Sequence, residues 1–124
     1  MKRLLWFLLS ACTLHITVAA HVPDQYLQVA QIALAPGSVR IELHLTPGAL
    51  VAERIRTLID ADGDGQISTE EEQVYARRVL QEIGLEINGT GAPLTLTDIQ
   101  FPTQQAMREG LGAIRLTFVA ATTL

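Results

Sequence analysis

Val39, Ile41, Leu43 and Leu45 alternate with Arg40, Glu42, His44 and Thr46, a period of two that predicts a strand with one buried face. The preceding run YLQVAQIAL, Tyr26 to Leu34, also reads as strand, with a less regular alternation. Ala35-Pro36-Gly37-Ser38 between them supplies turn residues, so a hairpin is expected. After Leu45 the period changes. Val51, Ile55, Leu58 and Ile59 recur at spacings of three and four and predict an amphipathic helix over about 49–59, with Thr46 as N-cap and Pro47 as first helical residue. A second helix is expected from about Thr69 to Ile83, its apolar face formed by Val74, Tyr75, Val79, Leu80 and Ile83, with Gly84 placed for a left-handed C-terminal residue. Strand patterns return in LEIN and in LTLTDIQF, Leu94 to Phe101, around an Asn88-Gly89 hairpin signal. A polar stretch from Pro102 to Gly112, with a helical turn at Gln104 to Glu109, precedes a last strand in which Ile114, Leu116 and Phe118 alternate with Arg115 and Thr117. This order predicts an α+β domain: antiparallel β-strands with an inserted helix-loop-helix pair.

The segment between the two helices, DADGDGQISTEE from Asp60 to Glu71, places five acidic residues and two glycines in twelve positions. Two explanations compete. Ser68 and Glu71 form the S-x-x-E capping box that starts a helix, and Asp-Gly pairs are common in turns. Neither requires Asp60, Asp62 and Asp64 on alternate positions. Those three, Gly65 and Glu71 satisfy the calcium-loop pattern D-x-[DN]-x-[DN]-G followed five residues later by E, a match that arises by chance in roughly one chain of this size in 10⁴. Alternate residues of a tight loop turn their carboxylates inward, and Gly65 supplies the sharp bend. Gln66 is expected to contribute its backbone carbonyl, Ser68 to bind directly or through a water, and Glu71 to close the site with both oxygens. Each carboxylate repels the next, a strain that a divalent cation relieves. A flexible, oxygen-only site suits Ca²⁺ better than Mg²⁺, and far better than zinc or copper.

On these residues the segment from about Gly48 to Ile83 resembles the EF-hand calcium-binding family, with no departure at a ligand position. The resemblance implies a helix-loop-helix Ca²⁺ site. It also implies a partner, because EF-hands normally pair through the residue at loop position 8, here Ile67, and no second copy of the loop stands in the chain. Either the loop packs on the domain's own sheet, or two molecules associate through Ile67. More loosely, HVPDQYLQ, LHLTPG and MREGLGAIRL are similar to exported bacterial domains that carry one EF-hand between β-segments. Some of those continue into multi-span membrane proteins similar to metal-permease accessory proteins of the hydrogenase and urease type.

The 124-residue length fits one domain. Residues 1–20 read as a secretory signal: Lys2 and Arg3, an apolar run from Leu4, and the small-residue ending Val18-Ala19-Ala20. Leu4 to Ala20 is only 17 residues and holds Ser10, Thr13, His15 and Thr17, short of the ~20 apolar residues a membrane span needs. Leu9-Ser10-Ala11-Cys12 also resembles a lipoprotein signal, which would anchor the chain at Cys12. Residues 21–124 are taken as the single mature domain. Without Lys2 and Arg3, seven arginines face 13 acidic residues, a formal charge of 7 − 13 = −6, and no cysteine remains for a disulfide. So acidic a chain, lacking a basic stripe, is a poor partner for nucleic acid or anionic membrane. His21, at the expected new N-terminus, and His44, on a polar strand face, have no companion at metal-ligand spacing. No nucleophile-base pairing stands out, so an enzyme is not expected. Because Ala121-Thr122-Thr123-Leu124 follows an apolar strand directly, a continuation beyond Leu124 is expected. The expected function is an exported, periplasmic or secreted, calcium-binding module in which Ca²⁺ stabilises structure or a docking surface for a protein partner or second copy. The alternative is the extracytoplasmic part of a metal-transport or membrane assembly.

Overall fold

The computed structural model describes residues 24–122; the expected signal at 1–20, Cys12 and His21 lie outside them. Strands β1 (Tyr26–Ala35) and β2 (Ser38–Pro47) form the expected hairpin. Helices α1 (Ala49–Ile59) and α2 (Thr69–Glu82) follow, then a short hairpin of β3 (Glu86–Ile87) and β4 (Thr90–Gly91), strand β5 (Thr95–Gln100), helix α3 (Gln104–Arg108) and strand β6 (Ile114–Ala121). The main sheet is antiparallel throughout, in the order β1-β2-β6-β5. The fold is α+β, with the helix pair inserted between strands that meet again in one sheet.

Register explains the core. Val39 lies opposite Ala120, Ile41 opposite Phe118, Leu43 opposite Leu116 and Leu45 opposite Ile114, so the alternating apolar residues of β2 and β6 share one face. The helices cover that face, α1 packing on β2 and α3, and α2 on β5. Leu45, Ile59, Tyr75, Ala76, Met107, Ile114, Leu116 and Phe118 form the buried cluster, with Ile67 of the acidic loop packed against it. Each large apolar side chain so buried contributes about 1.5–3 kcal/mol.

β1 differs. It forms an edge of the sheet and is exposed along nearly its whole length, with Leu27 and Val29 on one face and Ile32 and Leu34 on the other. Only its start is tied to the helices. Gly48 N–H donates to Gln25 O at 2.7 Å, and the hydroxyls of Tyr26 and Tyr75 are 2.9 Å apart. Burial holds both phenols above their ordinary range, and the hydrogen bond to Tyr75 raises Tyr26 further.

Four expectations need correction. Pro47 ends β2 and does not begin α1; the N-cap is Gly48, extended at φ −63°, ψ 160°, because strand pairing with Tyr26 continues through Pro47. Gly84 is not left-handed: α2 ends on Ile83 at φ −104°, ψ 143°, and runs straight into extended chain. The Asn88-Gly89 turn, with both residues at positive φ (52° and 79°), joins β3 to β4 alone, whereas β5 pairs with β6. Val74 and Leu58, expected on apolar helix faces, are 57% and 51% exposed. They line an open cleft of about 130 Å³ between α1 and α2, while Ala76 and Ala52 are buried.

Candidate metal centre

α1 carries the chain into the acidic loop, and Asp60 caps it, its N–H donating to Arg56 O at 2.8 Å. The loop then folds on itself through its own carboxylates. Asp60 Oδ2 accepts from Gly65 N–H at 3.0 Å, Asp62 Oδ1 from Asp64 N–H at 3.1 Å, and Asp64 Oδ1 from Gln66 N–H at 2.7 Å. Gly65 stands at φ +83°, the bend expected at that position and one that a side chain would strain.

Glu71 closes the loop from α2. Its Oε1 accepts from Ala61 N–H at 2.6 Å and from Asp62 N–H at 3.4 Å; its Oε2 accepts from Ser68 N–H at 2.9 Å and Ser68 Oγ–H at 3.0 Å. Glu71 N–H in turn donates to Ser68 Oγ at 3.3 Å, completing the capping box. The two explanations of Ser68 and Glu71 are thus compatible: the cap starts the helix and aims the same carboxylate across the loop. These donors, the Ser68 N–H first among them, hold the Glu71 carboxyl below the usual carboxylate range.

Asp60, Asp62 and Glu71 offer oxygens that all lie within 4.8 Å of one another. Asp60 and Glu71 are buried, each 9% exposed. Asp60 Oδ1 is itself buried and has no hydrogen-bond partner in the structure. Asp64, Gln66 and Ser68 sit in the loop but are exposed, and the Asp64 carboxylate is turned toward the Gln66 N–H. The structure therefore gathers three of the six expected ligand residues and places the other three on the rim. Glu70 is exposed, as its position outside the ligand pattern predicts.

Two contributors escape the sequence pattern. Arg56, one turn before Asp60, donates from one terminal nitrogen to Gly65 O at 3.1 Å, and the same nitrogen lies 3.5 Å from Asp60 Oδ2. Its other donors grip Glu53 at 2.8 and 3.0 Å, an exposed bond that lowers the Glu53 carboxyl below its usual range. The signal was an arginine at helical spacing from the first loop aspartate. The second is Gln104 of α3, whose two amide heavy atoms lie 2.9 Å from Ile67 N and 3.2 Å from Gly65 O; with the oxygen assigned to the atom facing Ile67, the amide accepts from the Ile67 N–H and donates to Gly65 O. No local pattern connects a residue so distant in sequence with the loop.

Elsewhere the clefts are poor in chemistry. One, about 450 Å³, is lined by Ile87, Asn88, Thr90, Gly91, Ala92, Pro93, Ala121 and Thr122, none of which ionises near neutral pH. His44 Nε2 contacts Glu42 Oε1 at 2.7 Å on the polar face of the sheet. Among the described residues no helix is long and apolar enough to cross a membrane. No protein-family model, curated protein or solved structure matches the chain.

Proposed function

We propose that Gly48 to Ile83 is a single EF-hand that binds one Ca²⁺, within an exported domain whose helix pair the ion stabilises on the sheet. The observation that carries this reading is Asp60, whose Oδ1 is buried without a partner and whose carboxylate clusters with those of Asp62 and Glu71. Left unanswered, such an atom costs about 1–3 kcal/mol, and a hard cation answers it directly. Asp60, Asp62 and Glu71 are the inner ligands. Asp64, the Gln66 carbonyl and Ser68 complete the oxygen set from the rim, Asp64 by turning from the Gln66 N–H and Ser68 directly or through a water.

Two features argue for modest affinity. The backbone N–H groups of Ala61 and Ser68 compete with the ion for Glu71. The Arg56 guanidinium beside Asp60 offsets part of the loop's negative charge. Both fit the extracellular class of sites, with dissociation constants of ~10⁻⁴ to 10⁻³ M. Outside the cytoplasm such a site stays occupied, and the ion acts as a structural strut. Calorimetric titration of the protein with calcium tests this, with Glu71→Gln and Asp60→Asn alongside. Binding by the wild type that both substitutions abolish or severely weaken is expected. Equal binding by all three, or none at millimolar calcium, would sink the proposal.

A further inference from the structure

We infer that Gln104 is the in-chain partner of the calcium loop, a positioning residue that does for this single loop what a second loop does in a paired EF-hand; the inference rests on the calcium reading above. At Ile67 the loop presents a backbone N–H, and at Gly65 a carbonyl, to α3. The Gln104 amide meets both, its oxygen and an N–H lying on one edge of the same amide group. A primary amide reproduces the hydrogen-bonding pattern of a strand neighbour without needing a strand. Arg56 shares the Gly65 carbonyl from the other helix, so the bend of the loop is gripped from both sides.

The side chain can position the loop because its own base is fixed. Thr103 Oγ1 accepts from Ala106 N–H at 3.2 Å and caps α3, and Met107 beneath it is 1% exposed. At the far end Gly110, at φ +69°, lies so close to α1 that an added Cβ would stand 2.7 Å from Ala49 N. Gly112 is packed as tightly against Pro102 and Ala106. The segment 102–112 is therefore a strap across α1, touching the start of the helix at Gly110 and the loop after it at Gln104. Holding the loop bent before the ion arrives removes part of the ordering that binding would otherwise require. It also leaves the Ile67 N–H engaged and so unavailable to a second copy.

The test compares the full chain with Gln104→Met, which keeps side-chain length and removes both amide groups. Without calcium, the Ile67 amide hydrogen is expected to exchange slowly in the wild type and at least tenfold faster in the variant. Calcium affinity is expected to fall about three- to tenfold, the scale of one or two neutral hydrogen bonds. The calcium-induced rise in Tm should shrink, and calcium should promote self-association of the variant more than of the wild type. Should Gln104→Met fail to fold, Gln104→Asn, too short to reach both groups, is expected to move each quantity the same way. A wild type that binds calcium while either folded variant binds equally well overturns the positioning role alone. So does a fast-exchanging Ile67 amide in the wild type. A wild type that binds no calcium overturns the calcium reading and this role with it.

Discussion

Strands β1 and β6 belong to one sheet and are similarly apolar, YLQVAQIALA against IRLTFVAA, yet they meet opposite fates. In β6, Ile114, Leu116, Phe118 and Ala120 are fully buried; in β1, Leu27, Val29, Ile32 and Leu34 are 41–73% exposed. The difference lies in what each strand has beside and above it. β6 sits between β2 and β5 under the helices, whereas β1 has a neighbour on one side only and lies beyond the reach of α1 and α2 except at Tyr26. Strand hydrophobicity is thus a permission to be buried, and the footprint of the inserted helix pair decides which strand uses it. Stability should accordingly be concentrated on the side of the molecule that carries the acidic loop.

The strongest test of that contrast is Phe118→Ala, which opens a cavity under the helices and should cost about 3–5 kcal/mol by denaturant titration. Next is calcium itself. If the ion pins the helix pair, unfolding with chelator present should show a loss of about 2.7 kcal/mol relative to calcium at 100 times its dissociation constant, and Glu71→Gln should show almost none. Smaller is the tie between the two regions: Tyr26→Phe should cost about 1 kcal/mol, the net worth of a typical hydrogen bond. The same pair predicts alkaline weakening. Because both phenols have folded pKa values raised above the unfolded one, their contribution is complete below about pH 10 and declines as pH rises beyond it. Thermal unfolding across that range, with phenolate absorbance followed in parallel, reads both. Smallest is Leu34→Thr on the exposed strand, expected to stay within about 0.5 kcal/mol of wild type. If that substitution cost as much as Phe118→Ala, β1 would have to be covered in solution and the contrast would collapse.

What could be read in advance follows the range of the interactions involved. α1, α2 and the first hairpin declare themselves through local periodicity, and the loop through a pattern contained in twelve residues. The helical turn expected at Gln104 to Glu109, observed as α3, was equally local. The exposure of β1 was not legible, because it depends on sheet order, and YLQVAQIAL offers the same apolar content to either outcome. Pro47 was misplaced because the rule for a first helical proline ignores a strand pairing with Tyr26 from outside the segment. Val74 was assigned to the packed face by spacing alone, whereas it lines the cleft and is exposed while Ala76 is buried in the core. Within the site, Asp60, Asp62 and Glu71 converge as the pattern implies. Gln104 could not be foreseen, since its two bonds depend on how a strap folded elsewhere returns to α1.

The sheet order also bears on the order of events in folding. β2 and β6 pair from Ser38 opposite Ala121 to Leu45 opposite Ile114, so the ladder at the heart of the molecule closes across the entire helix insertion. Loop closure must be met before that ladder can form, which makes the central strands late partners and the β1-β2 hairpin and helix pair early ones. A cation that draws α1 and α2 together shortens the slack in that loop. Calcium should then quicken refolding as well as retard unfolding, a division between the two rates that stopped-flow measurements with and without the ion resolve.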